Sequence, residues 1–185
     1  MDGGDQVSSR QDERYLRAAE TLGPALERLA RACEADPDQQ KDLLQDIHFA
    51  VWRSFAKFDG RCSEATWVYR VAHNAAASHV ASRKRLRAGG MLTLDELERI
   101  PDPAQPDPEA ETGERLALAR LMALVRALGL PDRQVVLLYL EGLDAAAIGE
   151  VCGLKPNAVA VKIHRLKALL ASQFHKTNAP QGGSR

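Results

Sequence analysis

Two clusters of side chains carry most of the chemistry legible in this chain. Trp67, Arg70 and Asn74 run into Arg83, Lys84, Arg85 and Arg87, and no acid falls between Arg70 and Arg87. Aromatic faces receive unstacked bases, at about 1 to 3 kcal/mol per base, and cations beside them hold strand phosphates. Asn157, Lys162, His164, Arg165 and Lys167 lie in a second acid-free stretch, from Pro156 to Lys176. A helix of that kind meets duplex phosphates and base edges. Each cluster also has a plainer reading as a solvated basic helix face, with Trp67 and Tyr69 as core aromatics. A third group, Asp42, Gln45, Asp46 and Arg53, is by itself no more than a polar helix face.

Catalysis has no matching constellation. His48, His73, His79, His164 and His175 are not paired at HExxH spacing, and neither a nucleophile elbow nor a phosphate-binding glycine loop occurs. Cys33, Cys62 and Cys152 are far apart and lack CxxC or zinc spacing. The chain therefore reads as a non-enzyme with no metal and no cofactor. Its thiols fit a reducing cytoplasm, with a redox role for Cys62, beside Arg61, as the alternative.

Helical periodicity supplies the elements that position these groups. Tyr15, Ala19, Leu22, Leu26, Leu29 and Cys33 step by four and three, which predicts an amphipathic helix that Pro24 kinks or splits; residues 1–10, polar and glycine-rich, are expected to be disordered. Asp36-Pro37-Asp38 breaks it, with Asp38 the expected cap of the next helix. There Leu43, Leu44, Ile47, Val51, Trp52 and Phe55 form one apolar face. Asp59-Gly60 forces a turn, and Ser63, with Thr66 second, can cap a helix whose inward face is Val71, Ala75, Ala76 and Val80 and whose outward face is Arg70, His73 and Asn74.

Beyond Arg87 the character changes. Pro101, Pro103, Pro106 and Pro108 lie among acidic residues and cannot sit inside a helix. Residues 88–115 hold 8 acidic and 2 basic side chains, so the formal net charge of zero hides an acidic middle between two less acidic flanks. Leu92, Leu94, Leu97 and Ile100 form an apolar patch inside this linker. Helices follow over 113–130, after Pro131, over 144–152 and from Pro156, the last two joined by Gly153-Leu154. A short helix, a glycine turn and a longer helix make a helix-turn-helix, whose second helix can enter the major groove. The fold class is all-α: two small helical domains, 11–87 and 113–176, joined by a flexible Pro-rich acidic linker, 88–112. No apolar run is long enough to span a bilayer, which excludes membrane insertion and places the chain in the cytoplasm. From residue types alone, an ordinary helix-turn-helix repressor or activator and a protein-interaction adaptor both remain open.

A family resemblance narrows the choice. DLLQD, then Trp52-x-x-Phe55-x-x-Phe58, then TWVYRVAHN and a basic helix end resemble, in that order, the second region of bacterial RNA polymerase sigma factors of the sigma-70 family, extracytoplasmic-function group. LPDRQVVLLYLEGLDAAAIGEVCGLKPNAVAVKIHRLKALL is similar to the fourth region of the same family. The resemblance implies a sigma factor that binds core RNA polymerase and directs promoter-specific initiation. It places Asp42, Gln45, Asp46 and Arg53 on the surface meeting the polymerase clamp helices. Lys57, Asp59, Arg61, Trp67, Arg70, Asn74, Arg83, Lys84 and Arg85 would take the downstream (-10) element as melted single strand. Asn157, Ala160, Lys162, His164, Arg165 and Lys167 would read the upstream (-35) element as duplex; many relatives have Arg where this chain has Ala160. Partners are then core RNA polymerase and promoter DNA, with a separate anti-sigma factor as a further candidate.

Overall fold

The computed structural model describes residues 3–84 and 113–177, with side chains over 9–82, 118–119 and 121–169. The expected linker, 88–112, its apolar patch, and Arg85 and Arg87 lie outside the described residues. Seven α-helices and one short 3-10 turn account for nearly all of the rest, and no strand occurs among the described residues.

Helix α1 spans Gly3–Cys33. It starts well before the expected position and takes in most of the segment 1–10 expected to be disordered; in its third turn Gln11 donates to the Trp52 carbonyl at 2.9 Å, and Asp12 accepts the Trp52 indole N–H at 2.8 Å. Pro24 does not divide it. A mid-helix proline costs about 3 kcal/mol, and burial of Ala25, Leu26, Leu29, Ala30 and Ala32 just beyond it offsets that loss. Helix α2 is Pro37–Ser54. Its cap is Asp36, not Asp38: the Asp36 carboxylate accepts the N–H groups of Asp38 and Gln39 at 2.9 and 3.0 Å, with Pro37 ideally placed in the first turn. Leu43, Ile47 and Val51 are its buried stripe. The 3-10 turn Phe55–Lys57 and a loop with Gly60 at φ 77° lead into α3, Glu64–Lys84. Ser63 Oγ accepts the Thr66 N–H at 3.0 Å, as the sequence predicts.

The inward face of α3 is rotated from the expected one. Val68, Ala72, His73 and Ala76 are buried, whereas Val71, Ala75 and Val80 are half-buried. His73 thus lies inside rather than outside, beside a small void lined by Leu29, Cys33, Leu130, Arg133 and Leu137. Burial disfavours the imidazolium and lowers its pKa from 6.5 to about 4.

The second group comprises α4 (Gly113–Ala127), α5 (Asp132–Leu140), α6 (Ala145–Cys152) and α7 (Pro156–Thr177). Arg133 is buried and donates to the carbonyls of Leu128, at 2.8 and 3.1 Å, and Arg126, so a charged side chain satisfies acceptors at the end of α4. Asp144 caps α6 through the Ala147 N–H at 2.8 Å, and Gly153 ends it in the left-handed region at φ 70°. Ile148, Val151 and Val159 meet Val135 and Leu138 in a small core that holds α6 and α7 as a helix-turn-helix.

The two groups are in contact. Leu124, Val125, Leu128, Val136, Leu137, Leu166 and Leu169 belong to one apolar cluster with Leu26, Leu29, Val68 and Ala72. Polar ties rim this seam. Arg28 forks onto Glu141 at 2.7 and 2.6 Å, Arg70 donates to the Glu150 carbonyl at 2.9 Å, and Arg126 reaches the Arg31 carbonyl at 3.4 Å.

Two outcomes follow. A Cβ on Gly149 would stand 2.7 Å from the Leu154 carbonyl oxygen, a backbone atom. Gly149→Ala should therefore destabilise the chain by roughly 1 to 3 kcal/mol in a urea titration, despite the better helix propensity of alanine. For His73 the folded pKa lies below the unfolded one, so the unfolded chain binds the proton first and stability falls as pH drops from 6.5 towards 4. Wild type should lose up to about 3 kcal/mol relative to His73→Leu across that window, and no relative change should occur above it.

Candidate nucleic-acid interface

Burial of Leu43, Ile47 and Val51 turns the other side of α2 to solvent. Asp42, Gln45, Asp46 and Arg53 are all exposed there, as the periodicity predicts. Phe49 joins them: it is 58% exposed, stacks on Trp52 at 6.1 Å between centroids, and lies under the Arg53 guanidinium at 5.8 Å. Sequence reading missed Phe49. The available signal was its register, two residues from both Ile47 and Val51 and so on the opposite side from the apolar stripe. The resulting face carries carboxylates, an amide and an unburied ring.

Around the loop that precedes α3 the expected residues separate into those that face solvent and those tied down. Lys57 is exposed, and Arg61 pairs with Asp59 at 2.9 Å across the turn. Trp67 is half-buried: its indole N–H donates to Ser54 Oγ at 2.9 Å and its ring packs on Phe58 at 5.5 Å. Its ring therefore belongs to the apolar cluster, and it is not presented as an open stacking face. Phe58 in turn has the Arg14 guanidinium at 5.2 Å over its ring, and Arg14 pairs with Glu64 at 3.3 Å. Arg10, Arg14, Phe55 and Phe58 border a cleft of about 180 Å³ beside the loop. Periodicity carried no signal for that cleft, because its two arginines come from α1 and its two rings from the 3-10 turn that follows α2 and the residue just after it.

On α3, Asn74 is exposed, while Arg70, one turn earlier, is half-buried and engaged with the Glu150 carbonyl of α6. Tyr69 is half-buried against the small core of the helix-turn-helix, and burial raises its phenol pKa. Helix α3 contains Arg83 and Lys84, whose side chains, like Arg85, lie outside the described set.

On α7, Val159 and Leu166 are buried and Ile163 half-buried, which sets the opposite side outward. Asn157, Ala160, His164, Arg165 and Lys167 are exposed, and the Lys167 ammonium lies 5.3 Å from the Tyr139 ring centroid. Lys162 is the exception. It is half-buried and its ammonium pairs with buried Asp132 at the start of α5, so it clamps α7 to α5 instead of standing free in the outward face.

Cys33 and Cys152 do not resemble nucleophiles. Burial raises the pKa of Cys33, against the opposing charge of Arg133, and pushes Cys152 up to about 11. No cluster of histidine, cysteine or acidic side chains suited to a metal occurs among the described residues. Nor is any described helix long and apolar enough to cross a membrane.

Comparison with known proteins agrees with this geometry. The family model for Sigma-70 region 2 matches residues 18–86 and that for Sigma-70 region 4 matches 118–170. The chain is 27% identical to the RNA polymerase sigma factor CnrH of Cupriavidus metallidurans over 171 residues, 90% of each chain. It is 33% identical to the extracytoplasmic-function sigma factor SigX of Bacillus subtilis over 60 residues, 32% of this chain and 31% of that one. Among solved structures, CnrH in complex with the cytosolic domain of CnrY shares the fold at a TM-score of 0.64, 21% identity and coverage of 93% and 94%. RpoE of Bartonella quintana, in complex with the anti-sigma factor NepR, does so at 0.62, 16% identity and coverage of 89% and 98%. With both regions matched in order and the all-helical fold in agreement, the chain belongs to the extracytoplasmic-function group of the sigma-70 family, whose members bind core RNA polymerase and promoter DNA to direct promoter-specific initiation of transcription.

Proposed function

We propose that residues 11–87 bind core polymerase and hold the downstream (-10) element as melted single strand, and that residues 113–176 read the upstream (-35) element as duplex, with 88–112 as the connection. The observation that carries this reading is that α2 turns carboxylates and an open aromatic ring to solvent, beside Gln45 and Arg53, whereas the outward face of α7 carries an amide, an imidazole and cations with no acid. The first suits a protein surface and the second suits DNA. Asp42, Gln45, Asp46 and Arg53 therefore meet polymerase, and Phe49 is added to them. The chain contributes no catalytic group of its own; polymerase carries the chemistry, in the cytoplasm.

For the melted strand, Asn74 is the best-placed side chain on α3, and Lys57, Asp59 and Arg61 line the loop before it. Trp67 supports this surface from beneath. The cleft bordered by Arg10, Arg14, Phe55 and Phe58 lies beside this surface, with Arg14 seated over the Phe58 ring. Arg70 joins the surface only when its guanidinium leaves the Glu150 carbonyl. NepR, the anti-sigma factor bound to RpoE in the related structure, makes an anti-sigma protein the natural candidate for a partner that blocks this chain.

Polymerase titrations test the α2 face. Asp46→Arg and Phe49→Ala should each weaken core polymerase binding, the latter roughly tenfold if the ring is buried at the interface, while leaving helicity unchanged because both side chains are exposed. Wild-type affinity in both variants would return the face to solvent. Strand opening is tested separately: holoenzyme with Asn74→Ala should bind polymerase and closed duplex normally yet open the downstream element poorly. A template with that element already mismatched should recover most transcription; no recovery would remove Asn74 from the strand surface.

A further inference from the structure

The outward stripe of α7 is Asn157, Val161, His164 and Ala168, at spacings of four, three and four, opposite the inward Val159, Ile163 and Leu166. The adjoining cation is withdrawn from it, because Lys162 is paired with Asp132 of α5. An apolar β-branched side chain therefore stands at the centre of the face, with Val161 58% exposed. Ala160 beside it is exposed too, and its small side chain permits close approach. The helix contains no acid from Pro156 to Thr177, and Arg165 and Lys167 flank the stripe.

An isopropyl group has neither donor nor acceptor. The apolar feature that a base pair displays in the major groove is the thymine C5-methyl. Cationic flanks beside an apolar centre match phosphates on either side of such an edge, and they suit duplex DNA better than an apolar protein surface. We propose that Val161 reads a thymine methyl in the upstream duplex, with Ala160 admitting the helix close enough for contact, so that the element this chain selects carries thymine at that step. The inference rests on the assignment of α7 to upstream duplex.

The test uses holoenzyme reconstituted from the full chain and core polymerase. A promoter library randomised over the upstream element is selected by binding, and the enriched duplex is resynthesised with each thymine replaced singly by deoxyuridine, which removes only the methyl. One replacement should weaken wild-type binding about three- to fourfold, the factor for withdrawing one methyl-sized group from water. Holoenzyme with Val161→Ala should bind the thymine duplex more weakly by a similar factor and show no further loss on that replacement. Circular dichroism should show unchanged helicity, since the side chain is exposed and alanine favours helix. An enriched element in which every uridine replacement is neutral, or the same uridine sensitivity in Val161→Ala, overturns this inference and leaves upstream reading intact. No enrichment of any upstream sequence overturns upstream reading and the inference together.

Discussion

The described structure depends on a single apolar seam along α1. Leu26, Leu29, Ala30 and Ala32 are buried on one side of that helix, and the cluster they belong to extends through Leu43, Ile47 and Val51 of α2 and Val68 and Ala72 of α3 to Leu124, Val125 and Leu128 near the end of α4. A buried leucine contributes about 1.5 to 3 kcal/mol. An exposed ion pair contributes about 0 to 1 kcal/mol. By those magnitudes the seam supplies the cohesion between the two helical groups, and the Arg28–Glu141 fork and the Arg70 hydrogen bond select the register in which they meet. The same seam explains why a helix carrying Pro24 stays whole: what it buries beyond the proline outweighs the bond it forfeits.

Those contacts determine which chemical groups remain available. Tyr69, Arg70 and His73 form the part of α3 that lies against the second group, leaving Asn74 as the polar side chain of that turn open to solvent. In α5, buried Asp132 and Arg133 are consecutive and point to different tasks. One pairs with Lys162 of α7, and the other satisfies carbonyls at the end of α4. Two adjacent charged residues thereby hold the helices on either side of them, which fixes the helix-turn-helix against the rest of the group.

Local signals carried far in this chain. Ser63, Asp144, Gly153 and Pro156 act at the turns where their residue types predict, and the all-helical class and both family regions follow from periodicity and motif. Sequence reading failed where a distant partner decides. His73 reads as an outward polar residue until α5 covers it, and Trp67 stays open between stacking face and core aromatic until its contacts with Ser54 and Phe58 favour the core. Lys162 looks identical in sequence to a phosphate ligand, because Asp132 lies 30 positions away in the chain. Phe49 is passed over for another reason: its register sets it off the apolar stripe, and nothing local distinguishes an exposed ring with a role from an incidental one.

The Lys162–Asp132 pair also bears on ionic strength. Each phosphate neutralised on duplex DNA releases condensed counterions and adds about 0.9 to the salt slope of binding. A helix that spends one of its lysines internally has less of this entropic drive, and on the proposed reading α7 would rely correspondingly more on amide, imidazole and methyl contacts. On the proposed reading its occupancy comes from being carried on polymerase already engaged through α2, since a tethered second contact acts at an effective concentration in the millimolar range. Recognition upstream would then depend less steeply on cellular salt, by about 0.9 in the slope for that one lysine, and the free chain would be held less firmly on the many duplex sites it encounters without polymerase.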